Sequence, residues 1–315
     1  METRRLGDTG IRVSVVGLGC NNFGDRSDFD ASRRVIDRAI ERGVNFFDTS
    51  DTYGKRGGSE AFLGRIIGAR RKDIVLATKF GLPMADDELT QGGSRRYIFR
   101  AVEASLKRLQ TDWIDLYQIH FPDELTPIEE TLRALDDLVG QGKVRYIGCA
   151  NFTAWAAVEA KWTSRHHRLE SFVTAQNHFS LLWRKDVQPD LLDVASAYGM
   201  GILPYYPLAG GFLTGKYRRD AAMPEGSRLS YLKRLSDRYV TETNWELIGK
   251  LEDWARAQGH GLLDLAFAWL LAHPVIPTVI AGATRPEQID ANIEAASWVL
   301  TPAQKAEVDA ILIAK

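Results

Sequence analysis

Two patterns alternate along most of the chain. Short apolar runs stand at residues 15–19, 45–50, 74–79, 114–120, 144–151, 172–176, 201–207 and 278–282. Most are continuous, which suits strands buried on both faces of a parallel sheet. Between and after them, apolar residues recur at helical spacing over 31–42, 60–68, 96–109, 127–139, 154–164, 190–198, 246–257, 262–271, 286–296 and 302–314. Eight such βα units without a sequence repeat predict a closed (β/α)8 barrel. All 315 residues fit one domain of that kind with insertions.

The helix over 127–139 illustrates how its boundaries are written. Thr126 is placed to cap it, Pro127 suits the first helical position, and Glu129 stands where a capping box takes an acid. Ile128, Leu132, Leu135, Leu138 and Val139 form its apolar stripe, and Gly140 and Gly142 release the chain. Thr301-Pro302-Ala303-Gln304 opens the last helix in the same way. Two segments fall outside the rhythm. Residues 2–14 read as a hairpin turning at Gly7-Asp8-Thr9-Gly10, apolar enough to cover a barrel end. Residues 209–243, after the seventh strand, read as a long loop of the kind that serves as a lid or binding loop.

Charge narrows the function. Lysine and arginine total 40 against 41 acids, so no basic field offers itself to nucleic acid. No run approaches the ~20 apolar residues of a membrane helix, and the first residues lack a signal-peptide pattern. The two cysteines, Cys20 and Cys149, are far apart and suit a reducing, cytoplasmic setting. No pair of histidines has zinc-ligand spacing, so no metal is expected.

Barrel active sites lie at the carboxyl ends of the strands. Those ends deliver Asp48, Lys79, His120, Asn151, Gln176 and Tyr205, with Tyr53 in the loop after Asp48. Singly, each has a plainer reading: a solvated lysine, a turn aspartate, a hydrogen-bonded core histidine. Their convergence on one face favours a site. His166, His167, His178, His260 and His273 lack such company and read as structural or surface residues. A lysine ammonium beside Tyr53 is expected to lower the phenol's pKa, Asp48 to keep that ammonium charged, and His120 to orient a substrate oxygen. Such a set protonates an oxygen gaining negative charge, as when hydride reaches a carbonyl, and a cofactor must bring the hydride. Gly17-Leu18-Gly19-Cys20-Asn21-Asn22 is not a Rossmann fingerprint. Gly210, Gly211, Gly215 and Lys216, and Gly282-Ala283-Thr284-Arg285 ahead of a helix, are the alternative anion sites.

These residues resemble the aldo-keto reductases. The likeness runs through Phe47-Asp48-Thr49-Ser50-Asp51-Thr52-Tyr53-Gly54, Ala77-Thr78-Lys79, the segment from Ile114 to His120 and that from Gly142 to Gly148. It continues through Gln176-Asn177, the segment from Pro207 to Tyr217 and that from Gly282 to Asn292. The resemblance implies a catalytic tetrad of Asp48, Tyr53, Lys79 and His120, with Tyr53 as proton donor. It implies NADPH as cofactor, its carboxamide held by Asn151 and Gln176 and its ring stacked on Tyr205. Leu208, Gly210 and Lys216 would meet the pyrophosphate, with Gly215 also in the cofactor bed, and Thr284, Arg285, Gln288 and Asn292 would face the adenosine 2′-phosphate. Gly19, Cys20, Asn21, Asp48, Tyr206 and Gly282 complete that bed. The chain looks closer to the bacterial sugar and aryl-alcohol reductases and potassium-channel β-subunits than to aldose reductase.

Departures from the family pattern are Ala150 and Tyr206, each in place of a common serine, Ala291 in place of a frequent glutamate, and Gly282 where some members carry a phosphate-binding lysine. The expected partner is a small carbonyl or alcohol, with oligomeric state left open. Two rival readings are an NADPH-binding regulatory subunit with little turnover and an aldolase using Lys79 as a Schiff base. Phe23, Phe80, Phe121, Trp155, Phe179 and Trp183 are candidate pocket aromatics.

Overall fold

The computed structural model describes residues 1–86 and 88–313. An antiparallel hairpin, β1 (Thr3–Arg5) and β2 (Arg12–Ser14), precedes a parallel sheet. Its strands are β3 (Val16–Gly19), β4 (Phe46–Asp48), β5 (Val75–Phe80), β6 (Ile114–Ile119), β7 (Val144–Ala150), β8 (Thr174–His178), β9 (Gly201–Tyr205) and β10 (Val279–Gly282). Each strand from β3 to β8 pairs with the next, and β10 returns to pair with β3. At the remaining seam Ile202 N–H donates to Val275 O just ahead of β10 (2.8 Å), so the sheet curls into a nearly closed (β/α)8 barrel. Among the described residues, no helix is long and apolar enough to cross a membrane.

The two-residue side-chain period of a strand explains where the core ends and the chemistry begins. Phe46, Ala77, Leu116, Leu203 and Ile280 form one buried cluster with Leu6 and Val13 of the hairpin segment. The hairpin is therefore the plug of the barrel's amino-terminal end. Two residues further along β4, β5, β6 and β9 stand Asp48, Lys79, Gln118 and Tyr205. One period of the same alternation converts an apolar layer into a polar one. Gly148 of β7 leaves room for that layer: a Cβ there would lie 2.4 Å from Thr174 Oγ1 and 3.2 Å from Gln118 Cγ.

Several boundaries differ from the sequence reading for identifiable reasons. The helix expected from Pro127 runs Ile128–Gly140 with no side-chain cap. Thr126 instead donates to Asp123 Oδ2 (2.7 Å), and Glu129 accepts from Arg133 (2.8 Å). The matching box at the last helix does form, Gln304 N donating to Thr301 Oγ1 and Thr301 N to Gln304 Oε1. That helix is Pro302–Ile313; position 314 lies outside the described residues. The loop over 209–243 is largely helical, with 3₁₀ turns at Ala209–Thr214 and short helices at Arg228–Tyr231 and Lys233–Tyr239. Buried Leu229, Leu235 and Tyr239 anchor it. The helix expected from 246 starts at Glu242, because Thr241 caps it through Asn244 N.

Candidate active site

Asp48 and Lys79, on neighbouring strands, meet under the open end of the barrel. Lys79 Nζ donates to both Asp48 oxygens (2.9 and 2.7 Å) and to Thr49 O (2.8 Å), with its side chain wholly buried. Gln176 Nε2 adds a fourth contact, donating to Asp48 Oδ1 (2.9 Å). Burial pulls the lysine pKa down, but Asp48 and Tyr53 together carry it above the ordinary value. The ammonium therefore stays charged without solvent. A buried ion pair persists only when its remaining hydrogen-bonding capacity is met, as it is here.

Tyr53 reaches the same point from the loop after β4. Gly54, Lys55, Arg56 and Gly57 follow it with φ of 69°, 62°, 67° and 116°, so regular helix starts only beyond them. A Cβ on Gly54 would lie 2.4 Å from Phe23 O and 2.5 Å from Ser59 N, so glycine is required for this close turn. The Tyr53 ring lies 5.0 Å from Lys79 Nζ and 5.8 Å, edge-on, from the His120 ring. Burial raises the Tyr53 pKa, and Lys79, pulling the other way, does not cancel it. The expectation of a lowered pKa is thus corrected: burial outweighs the lysine, and the phenol of the protein by itself holds its proton. Burial, reinforced by Lys79, lowers His120 to about 3, so its imidazole is neutral at physiological pH.

A groove of about 1060 Å³ runs from this cluster along the strand ends. Asp48, Tyr53, His120, Asn151, Gln176 and Tyr205 line one end of it; Lys216, Thr284, Arg285, Gln288 and Asn292 line the other. The volume is larger than most small-molecule sites need. Residues 15–313 match the Aldo/keto reductase family. The chain belongs to this family. It is 37% identical to the uncharacterized oxidoreductase YrpG of Bacillus subtilis, over 94% of this chain and 91% of that protein. It is 33% identical to a probable voltage-gated potassium channel subunit beta of Arabidopsis thaliana, over 100% of this chain and 98% of that one. Its identity to L-glyceraldehyde 3-phosphate reductase of Escherichia coli is 31%, over 94% of this chain and 87% of that enzyme.

In this aldo/keto reductase most of the expected bed does face the groove, including Gly19, Cys20, Asn21, Tyr206, Leu208, Gly210 and Gly282. Three positions behave differently. Lys79 lies beneath the wall, behind Asp48. Gly215 lies outside the lining too; with φ 75° it turns the chain that carries Lys216 into place. Gln288 spends its carbonyl on Thr284 N (2.7 Å) and Arg285 N (3.2 Å), so these amides are already capped by the protein. Asn151, at the rare φ of 61°, donates to His120 O and accepts from Tyr205 OH. Its backbone strain is held by both contacts.

The sequence reading missed part of the site. His178, set aside there, lines the groove at the end of β8, stacked between Tyr205 (5.2 Å) and Trp183 (4.8 Å). Arg26 and Arg228 join Lys216 and Arg285 at the far end, and burial together with these three arginines lowers the Lys216 pKa. Arg228 also donates to Asn22 Oδ1 (2.5 Å) and Arg26 to Gly226 O (2.8 Å), strapping the helical insertion across the groove. A contact between residues two hundred positions apart leaves no local pattern to read. Of the candidate aromatics, Phe121 and Trp183 line the groove. Phe23, Phe80 and Phe179 are core, and Trp155 is 69% exposed away from the groove. The aldolase reading fails on Lys79, which is charged, triply engaged and sealed from the groove.

Proposed function

We propose that this chain reversibly reduces an aldehyde or ketone to an alcohol with NADPH, Tyr53 giving the proton. The observation that carries the reading is the meeting of Tyr53, Lys79, Asp48 and His120 at one end of a groove whose other end gathers cations. The groove suits the cofactor. Arg26, Lys216, Arg228 and Arg285 have no carboxylate within ion-pair distance among the described residues, so phosphate charge would complete them. Asn151 and Gln176 would hold the carboxamide, Tyr205 would stack on the ring, and Thr284, Gln288 and Asn292 would border the adenosine. When bound, NADPH supplies a hydride to the carbonyl carbon.

The protein's own part concerns the carbonyl oxygen. His120, neutral, orients it, and Tyr53 passes it a proton as negative charge grows. The phenolate left behind stands beside the Lys79 ammonium, which Asp48 holds charged. An aldehyde and ketone panel run with NADPH and NADH in parallel tests this. The expected result is alcohol formation with NADPH favoured by roughly tenfold or more in kcat/KM, the worth of one charged contact. No reduction with either cofactor would overturn the reading, and parity with NADH would overturn the phosphate assignment. The full-length likeness to channel β-subunits favours one second reading, a regulatory NADPH-binding subunit. Tight NADPH binding without oxidation across the panel would select it.

A further inference from the structure

Behind His120 lies a buried acid that the reaction above does not use. Asp51 is 1% exposed, with Ser50 next to it wholly buried. Ser50 Oγ stands 3.2 Å from His120 Nδ1, 3.1 Å from Asp51 Oδ1 and 3.1 Å from Thr52 Oγ1, and accepts from Thr52 N at 3.3 Å. Among the described residues Asp51 Oδ2 and the buried hydroxyls of Tyr97 and Tyr117 complete no hydrogen bond, although the Tyr97 hydroxyl faces the Asp51 carboxyl. Glu60, engaged by Arg108 (2.7 Å) and Thr78 Oγ1 (2.6 Å), adds negative charge nearby. A bare carboxylate oxygen in such surroundings is costly, whereas a neutral acid is not.

Resting on the carbonyl-reduction reading, we propose that Asp51, acting through Ser50, selects which ring nitrogen of His120 carries the proton. A hydroxyl has one proton to give. When Asp51 is ionised it takes that proton, so Ser50 can only accept from His120; the imidazole is then Nδ1–H, and Nε2 turns a bare lone pair toward a carbonyl oxygen. When Asp51 is protonated it donates to Ser50, Ser50 donates to Nδ1, and Nε2 carries the hydrogen that a carbonyl accepts. Asp51 and Ser50 are thus positioning residues for His120.

The groups facing Asp51 fix the pH window. Burial and Glu60 raise its pKa from 3.8 to about 7, while the Ser50 bond, Arg108 and the Thr52 backbone pull the other way. Tyr97 and Tyr117, their own pKa values raised mainly by burial, stay neutral. Lys79, whose charge acts on His120, keeps that charge throughout. The productive tautomer is therefore present below pH 7 and lost as the pH rises through it.

Nitrogen-15 spectra of histidine-labelled protein without substrate, the His120 signals identified by their absence in His120→Gln, read the tautomer directly. The expected result is Nε2–H at about pH 6 giving way to Nδ1–H by about pH 8, with Asp51→Asn held at Nε2–H. One unchanging tautomer in the unsubstituted protein, or the same change in Asp51→Asn, would overturn the proposal, and the first needs no variant to fold. In turnover, kcat/KM for a carbonyl is expected to fall roughly tenfold per pH unit above the transition. That fall should be absent in Asp51→Asn, and its persistence there would also overturn the proposal. A tautomer that moves as described in a protein that reduces no carbonyl would uphold the relay and sink the proposed function, so the two failures are separable.

Discussion

The two ends of the groove are built on opposite principles. At the tetrad end charge is balanced inside the protein: Lys79 is enclosed by Asp48 and Thr49, and its residues sit on or just beyond barrel strands. At the far end Arg26, Lys216, Arg228 and Arg285 crowd together, carried by loops, short helices and a helix cap. The first arrangement is complete before any ligand arrives; the second is repulsive until an anion joins it. A preorganised end suits chemistry, because its dipoles and charges need not reorganise during reaction. An unbalanced end suits capture, because a phosphate relieves like-charge repulsion as it binds.

Breaking the balanced end should have the largest effect. Lys79→Met leaves Asp48 buried without its partner, and loss of one member of such a pair costs about 3–5 kcal/mol. Denaturant unfolding should register that loss, and carbonyl reduction should vanish in the protein that remains folded. A variant as stable as the parent would show that the pair does not hold this end together. Arg285→Ala should act differently and less severely. NADPH affinity should weaken roughly tenfold to a hundredfold, with kcat nearly preserved. The affinity of the parent should also fall with added salt, since the far end is open to solvent. Fluorescence titration of NADPH at two ionic strengths checks both, and an equal loss of kcat would erase the distinction between the ends.

The same contrast explains what could be read from the sequence. Continuous apolar runs ending in Asp48, Lys79, His120 and Gln176 advertise both a buried parallel sheet and the layer where it turns polar. Strand ends in a barrel share one face, so convergence follows from topology alone. The far end depends on distant contacts. Nothing near Arg228 indicates that it meets Asn22, and the loop that carries it reads as irregular because its helices are too short to show a period. His178 escapes the apolar pattern for a related reason: strand β8 extends two residues beyond Gln176, the expected end, and delivers a histidine there. Thr126 had the right chemistry for a cap, yet Asp123 was closer.

The central claim is that the half-buried phenol of Tyr53, kept protonated in the free protein, is the acid of carbonyl reduction. Steady-state reduction of the best panel substrate by Tyr53→Phe, beside its NADPH affinity, tests this most directly. The account predicts a fall in kcat/KM of roughly a hundredfold to ten-thousandfold, the usual worth of a general acid, with NADPH affinity within about twofold of the parent. Reduction at the parent's rate by Tyr53→Phe would contradict it.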